Sequence, residues 1–268
     1  MLSDSEISLA AARLEEAERT RKQTGLLSLD YPNISMEDAY RIQDRWVQGK
    51  LAAGDTPVGW KIGLTSRAMQ QALNITTPDS GYLLESMRFA DGGVVPAGRF
   101  IAPRVEAELA FIMKHDLSPD ATLYDVLNAT DYVVPSLEIL DTRIQRRDPV
   151  SGVLRNVFDT IADNAANAGF VLGGKPVRPL EHDLRWLGAI VAANGQVEET
   201  GLGGGVLNHP AQGIVWLTQR LGAYGHAVRA GQVVLSGSFI RPIEAPPGTT
   251  ITADFGPLGT VSCHFSKD

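Results

Sequence analysis

Three glutamates, a lysine and an aspartate occupy positions where their chemistry needs an explanation. In "PRVEAELAF", Pro103 to Phe111, Glu106 and Glu108 stand one residue apart in an otherwise apolar run. Strand side chains alternate, so Val105, Ala107, Leu109 and Phe111 share one face and Arg104, Glu106, Glu108 and Ala110 the other. Adjacent carboxylates repel unless water or positive charge lies between them. Glu138 in "PSLEILD" alternates against Leu137 and Ile139, projecting from a second apolar run onto its opposite face. Three carboxylates on one side of a β core would be very costly without a cation. The pattern leaves two readings open, a solvated strand face or a metal centre. For a metal, hard oxygen ligands and the lack of paired cysteines or histidine spacing favour Mg²⁺ or Mn²⁺ over zinc.

Lys61 lies in "VGWKIGLTS", where Val58, Trp60, Ile62 and Leu64 alternate against Gly59, Lys61, Gly63 and Thr65. It is either a solvent-facing charge or, on a face cleared by glycines, an anion-binding or acid/base lysine beside a small ligand. Asp79 in "TPDSGY" reads as a turn aspartate between Pro78 and Gly81. Asn164 reads as a helix cap, Ser238 as a strand-end hydroxyl and His209 as part of a helix start. Arg143, Arg146 and Arg147 of "DTRIQRRDP" suit a solvated loop, or a carboxylate seat through the guanidinium fork.

These residues need elements to position them. The first fifty-odd residues read as helical. Ser3 with Glu6 and Ser35 with Asp38 have capping-box spacing. Ile7, Ala10, Ala11, Leu14 and Ala17 form one apolar stripe, and Ala39, Ile42 and Trp46 a second that stops near Gly54. From Pro57 short strands follow: "VGWKIGL", "AELAFIM", "YVVPSLEIL", "GQVVLSGSF" and "GTVSCHF". "GAIVAANGQVEE" is a hairpin with Asn194-Gly195 at its turn. Helices interrupt at "TLYDVLNAT" and "NHPAQGIVWLTQRLG", the latter with Pro210 in its first turn and Gly222 as its stop. The expected class is α+β, with an N-terminal helical region over residues 1–56 and a β-rich catalytic domain over residues 57–268.

Composition narrows the partners. The chain has 268 residues, 44% hydrophobic and 21% charged, enough for a substantial core and unlike a disordered chain. A net charge of −7 without a basic stripe argues against nucleic acid and gives no attraction to anionic membranes. The opening residues lack signal-peptide order, no apolar run approaches a membrane span, and the single cysteine fits a reducing cytoplasm. Cys263 shares a face with Val261 and Phe265 and reads as a buried small hydrophobe.

Taken together, "GWKIGLTS", "PRVEAELAF", "PSLEILDTR", "FDTIADNAANAGFVLGG" and "GGGVLNHPAQGIVWL" resemble the hydratase/decarboxylase branch of the fumarylacetoacetate hydrolase superfamily, found in bacterial meta-cleavage of aromatic compounds. The resemblance covers nearly the whole chain. It implies a β-roll or sandwich preceded by helices, assembled as a homo-oligomer. It also implies a divalent metal on Glu106, Glu108 and Glu138, with Lys61 and Asp79 as catalytic groups. Leu64, Arg143, Asn164 and Ser238 are carried as candidate substrate contacts. The expected reaction is water addition to an unsaturated 2-oxo dicarboxylic acid. Lys61 would stabilise enolate charge and transfer protons, and Asp79 would orient or deprotonate the water.

Other readings remain at this point. Decarboxylation of a 4-oxalocrotonate-type acid, or hydration of the shorter 2-oxopent-4-enoate, would use the same ligands. A carbon–carbon hydrolase lacks a clear Glu–His dyad here. A glycosidase would also pair carboxylates, but 7% aromatic residues and the third glutamate weigh against it. The non-enzymatic alternative is a metal-stabilised binding protein.

Overall fold

In the computed structural model, which describes residues 1–72 and 75–268, helices come first and strands dominate thereafter. The helices are α1 (Asp4–Thr20), α2 (Leu27–Asp30), α3 (Met36–Ala52), α4 (Arg67–Ala72), α5 (Leu123–Ala129), α6 (Val157–Ala162) and α7 (Pro210–Gly222). The strands are β1 (Pro57–Gly63), β2 (Asp79–Leu84), β3 (Arg88–Phe89), β4 (Gly93–Val95), β5 (Arg104–Met113), β6 (Thr130–Leu140) and β7 (Asn167–Leu172). After these come β8 (Gly188–Ala193), β9 (Gln196–Leu202), β10 (Val233–Ser238), β11 (Ile243–Glu244), β12 (Thr250–Asp254) and β13 (Thr260–Phe265).

The two capping boxes form as their spacing predicts: Ser3 and Ser35 accept from the backbone of Glu6 and Asp38, whose side chains return the bond. The apolar stripes of α1 and α3 are buried. His209 caps α7, its Nδ1 accepting from Ala211 N at 3.1 Å, with Pro210 at the first helical position. Asn194 and Gly195 both take positive φ and turn β8 into β9.

Among the described residues the strands form two sheets. The larger runs β2-β1-β10-β5-β6-β7-β3, with β11 beside β5; the smaller runs β4-β13-β12-β8-β9. Most pairs are antiparallel, while β1 with β10, β3 with β7 and β4 with β13 are parallel, giving mixed sheets.

Alternation along the larger sheet decides where the site lies. Trp60, Ile62, Val105, Ala107, Leu109, Leu137 and Ile139 pack with Val191, Ile251, Val261, Cys263 and Phe265 of the smaller sheet. The other face carries Ala110, Val134, Phe170 and Leu235, which pack under the stripes of α1 and α3. Glu106, Glu108 and Glu138 share this second face, because they stand an even number of residues from Ala110 and Val134. The helices therefore cover one part of the face that bears the carboxylates.

Candidate metal and acid/base site

Glu106 and Glu138 are direct partners across the β5–β6 ladder, and Glu108 faces Ser136 one step along. One carboxylate oxygen from each glutamate lies within 4.8 Å of the other two. Glu108 and Glu138 are fully buried, and Glu106 is half-buried. Burial first, then Glu138, raises the Glu106 pKa to about 8, against the opposing charge of Lys61. Glu108 is likewise held well above the ordinary carboxylate range by burial, then by Glu138 and Glu106.

Each buried glutamate is held by one oxygen and left idle at the other. Gly237 N donates to Glu108 Oε2 at 2.8 Å, and Asn167 Nδ2 donates to Glu138 Oε1 at 2.7 Å. Glu108 Oε1 and Glu138 Oε2 are buried without a hydrogen-bond partner. An unpaired buried carboxylate oxygen is strongly unfavourable. Two of them in a trio whose carboxylates approach within 4.8 Å of one another suit a hard divalent cation.

Lys61 and Asp79 complete the face. β1 and β2 pair so that Gly63 opposes Asp79 and Lys61 opposes Gly81, which puts all four on one side. Lys61 is buried, with Nζ 3.3 Å from Glu138 Oε1. Burial alone would lower the ammonium pKa. Glu138, Asp79, Glu106 and Glu108 outweigh it and hold Lys61 above its ordinary value, hence protonated. Asp79 is buried too and its pKa is raised, chiefly by burial, with Lys61 opposing. Its Oδ1 has no hydrogen-bond partner.

The two glycines flanking Lys61 have different jobs. A Cβ on Gly63 would strike Asp79 Oδ1 and come within 2.8 Å of Lys61 Nζ, so this glycine keeps the site open. A Cβ on Gly59 would instead strike Val233 O across the parallel β1–β10 pair. Gly59 serves strand approach rather than a ligand, which corrects the expectation of a face cleared on both sides.

Other candidates fall in different places. Asp79 opens β2 rather than sitting in a turn. Leu64 follows β1 in the left-handed region at φ 55°, its carbonyl accepting from Gln70 Nε2. Asn164 caps no helix. It has φ 52°, and its amide clamps Tyr82, donating to the carbonyl at 3.0 Å and accepting from the N–H at 2.8 Å. Ser238 pairs with Glu108 in register, but its hydroxyl donates to Ile240 O at 2.8 Å.

Arg143 is corrected outright as a substrate contact. It is 2% exposed, ion-paired through Nε to Asp163, and its Nη2 donates to Asp163 O at 2.8 Å and Asn167 O at 3.0 Å. Its fork is spent on the interior rather than a ligand. Asn167 is the residue that sequence reasoning missed. A polar residue at the head of the apolar run "NAGFVL" was its available signal. A cleft of about 240 Å³ that includes Trp60, Ser80 and Tyr82 lies on the opposite faces of β1 and β2 and does not reach the glutamates.

No family model matches the chain. It is 52% identical over 258 residues to 2-oxo-hept-4-ene-1,7-dioate hydratase of Escherichia coli, spanning 96% of this chain and 97% of that one. It is 38% identical to 2-hydroxyhexa-2,4-dienoate hydratase of Comamonas testosteroni, over 95% and 96% of the two chains. In structure it matches 4-oxalocrotonate decarboxylase from Pseudomonas putida G7, complexed with magnesium and adipate, with TM-score 0.93 at 33% identity over 99% of each chain.

Proposed function

The chain belongs to the hydratase/decarboxylase branch of the fumarylacetoacetate hydrolase superfamily, and on that premise we propose that it adds water to 2-oxohept-4-ene-1,7-dioate, giving 4-hydroxy-2-oxoheptanedioate. The observation that carries this reading is the trio Glu106, Glu108 and Glu138, with two idle buried oxygens, beside the Lys61 ammonium. In this reading residues 57–268 form the catalytic β-rich domain and residues 1–56 a helical region that covers it.

The three glutamates would hold the cation, Mg²⁺ or Mn²⁺. When bound, it supplies a Lewis acid for the 2-oxo acid end of the substrate, where negative charge builds. Every other step falls to the chain's own groups. Hydration at C4 requires the double bond to conjugate with the ketone, so a proton must leave C3 and another arrive at C5. Lys61 Nζ, kept protonated by its carboxylate neighbours, is suited to stabilise the enolate oxygen and to deliver protons. Asp79, raised by burial and unpartnered at Oδ1, is suited to take a proton from the incoming water. Water then adds at C4 as C3 is reprotonated, which balances the reaction.

We extend the reading to an enzyme of aromatic catabolism by the homoprotocatechuate route that works as a homo-oligomer in the cytoplasm. The identity to the Escherichia coli hydratase supports the first part, and no described helix is long and apolar enough to cross a membrane. The structural likeness to a decarboxylase favours one competing reading. One ultraviolet assay separates them. The hydratase should consume the C7 unsaturated 2-oxo diacid, with Mg²⁺ and without releasing CO₂, in preference to 2-oxopent-4-enoate. Release of CO₂ from 4-oxalocrotonate as the main activity would sink it.

A further inference from the structure

β5 opens with a charge opposite to that of its glutamates. Arg104 stands two residues before Glu106 and so shares its face. Arg104 pairs in register with Leu140, the last residue of β6. Just beyond that strand end, Arg155 Nη1 donates to Thr142 Oγ1 at 2.7 Å and Arg155 N donates to Arg146 O at 3.0 Å. Three arginines thus gather at one end of the carboxylate face, all half-buried.

Their donors are underused. Arg104 Nη2 donates to Glu244 Oε1 at 2.9 Å, yet Arg104 Nε is buried without a partner. The Arg146 side chain makes no hydrogen bond among the described residues. The groups also feel one another. Burial first, then the charges of Arg104 and Arg155, lowers the Arg146 pKa, and the carboxylates of Glu244 and Asp141 oppose this without cancelling it. Burial lowers Arg155 too, with Arg104 adding to it and Asp163, Asp159 and Asp79 opposing. Massing partly dehydrated guanidinium groups with idle donors is unfavourable unless an anion joins them.

We propose that Arg104, Arg146 and Arg155 form the seat for the distal carboxylate of the diacid, and so select dicarboxylic over monocarboxylic substrates. The proposal rests on the diacid reading above. Its geometry follows from the strand. Glu106 and Arg104 are two residues apart, about 7 Å along an extended chain. An extended seven-carbon acid has as many carbon–carbon bonds as two residues have backbone bonds, and so spans roughly the same length. With its 2-oxo end at the glutamates and its chain laid along β5 toward Arg104, its far carboxylate would reach the level of the arginines. The guanidinium fork matches that group, whereas a lysine would offer a point charge. Arg143, the more obvious candidate in the same stretch, is excluded by its buried pairing with Asp163.

The test compares kcat/KM for 2-oxohept-4-ene-1,7-dioate with that for 2-oxohept-4-enoate, which has the same chain without the distal charge. Arg146→Gln and Arg155→Gln should each lower the diacid-to-monoacid ratio about tenfold or more, with Arg146→Lys retaining part of it. An unchanged ratio in both Gln variants overturns the proposal, as does an equal loss on both acids. A second arm needs no turnover: calorimetry of pimelate against heptanoate with Mg²⁺ present. If the wild type hydrates neither acid, the hydratase reading fails. Preference for pimelate, lost in Arg146→Gln, would still support the seat, and equal affinities would overturn it. A change in sedimentation with the ratio intact would assign the cluster to contacts between copies, which also overturns it.

Discussion

Lys61 Nζ stands 3.3 Å from Glu138 Oε1, and both side chains are buried on the helix-covered face of the larger sheet. Glu138 in turn opposes Glu106 across the β5–β6 ladder, so one ammonium answers carboxylates on two strands. It cannot answer all of them, since Glu108 Oε1 and Glu138 Oε2 remain without partners. That imbalance suits a site that takes a cation and then an anionic substrate.

Removing the ammonium separates chemistry from folding. Lys61→Ala should lower kcat by about a hundredfold to ten-thousandfold, the range of a positioned acid/base group. Its circular dichroism with Mg²⁺ should match the wild type. Without Mg²⁺ the variant should melt lower than wild type, because the buried carboxylates lose their internal counter-charge. Near-normal turnover would exclude an essential Lys61.

Metal and stability should be linked through the same glutamates. An ion that binds only the folded chain stabilises it by about 2.7 kcal/mol at a hundred times its dissociation constant. Saturating Mg²⁺ should therefore raise the wild-type melting temperature, and chelation should reverse the rise and abolish turnover. Glu108→Gln should remove most of the Mg²⁺-dependent shift. If that variant keeps the full shift, Glu108 is not a ligand.

Arg143 should behave as a piece of the interior. Its pair with Asp163 is fully buried, and removing one member of such a pair costs about 3–5 kcal/mol. Arg143→Ala should lower the denaturation midpoint strongly. Where it still folds, KM for diacid and monoacid should move together. A selective rise in KM for the diacid would return Arg143 to the substrate.

The sequence made the helices, the hairpin and the glutamate trio legible because each leaves a local mark. Capping boxes recur at fixed spacing, and a carboxylate among apolar neighbours breaks the strand pattern. The misses have equally physical causes. β7 is buried on both faces nearly throughout, so "NAGFVL" shows no alternation and hid Asn167. Asp79 sits beside Pro78 and Gly81, which signal a turn although β2 begins there. Arginines advertise charge but not direction, so nothing in "DTRIQRRDP" separates the buried Arg143 from the half-buried Arg146. Alternation already sets Arg104 on the glutamates' face, but only the fold brings Arg155 and Arg146 to its end of the strand.

The two glycines beside Lys61 give a paired test of how the strand serves the site. A methyl group at Gly63 would collide with Asp79 Oδ1 and stand 2.8 Å from Lys61 Nζ, pushing both proton carriers aside. Misplacing a reacting group by about 1 Å can cost about a hundredfold in rate. Gly63→Ala should therefore lower kcat by about that factor while the fold persists, since side chains can give way. At Gly59 the collision is with the Val233 backbone inside the β1–β10 pair, where neither strand can yield without losing its partner. Overpacking of this kind costs about 1–3 kcal/mol or more. Gly59→Ala should accordingly lower the melting temperature more than Gly63→Ala does. A Gly63→Ala variant with wild-type kcat would mean that turnover does not depend on the close placement of Lys61 and Asp79 around this glycine.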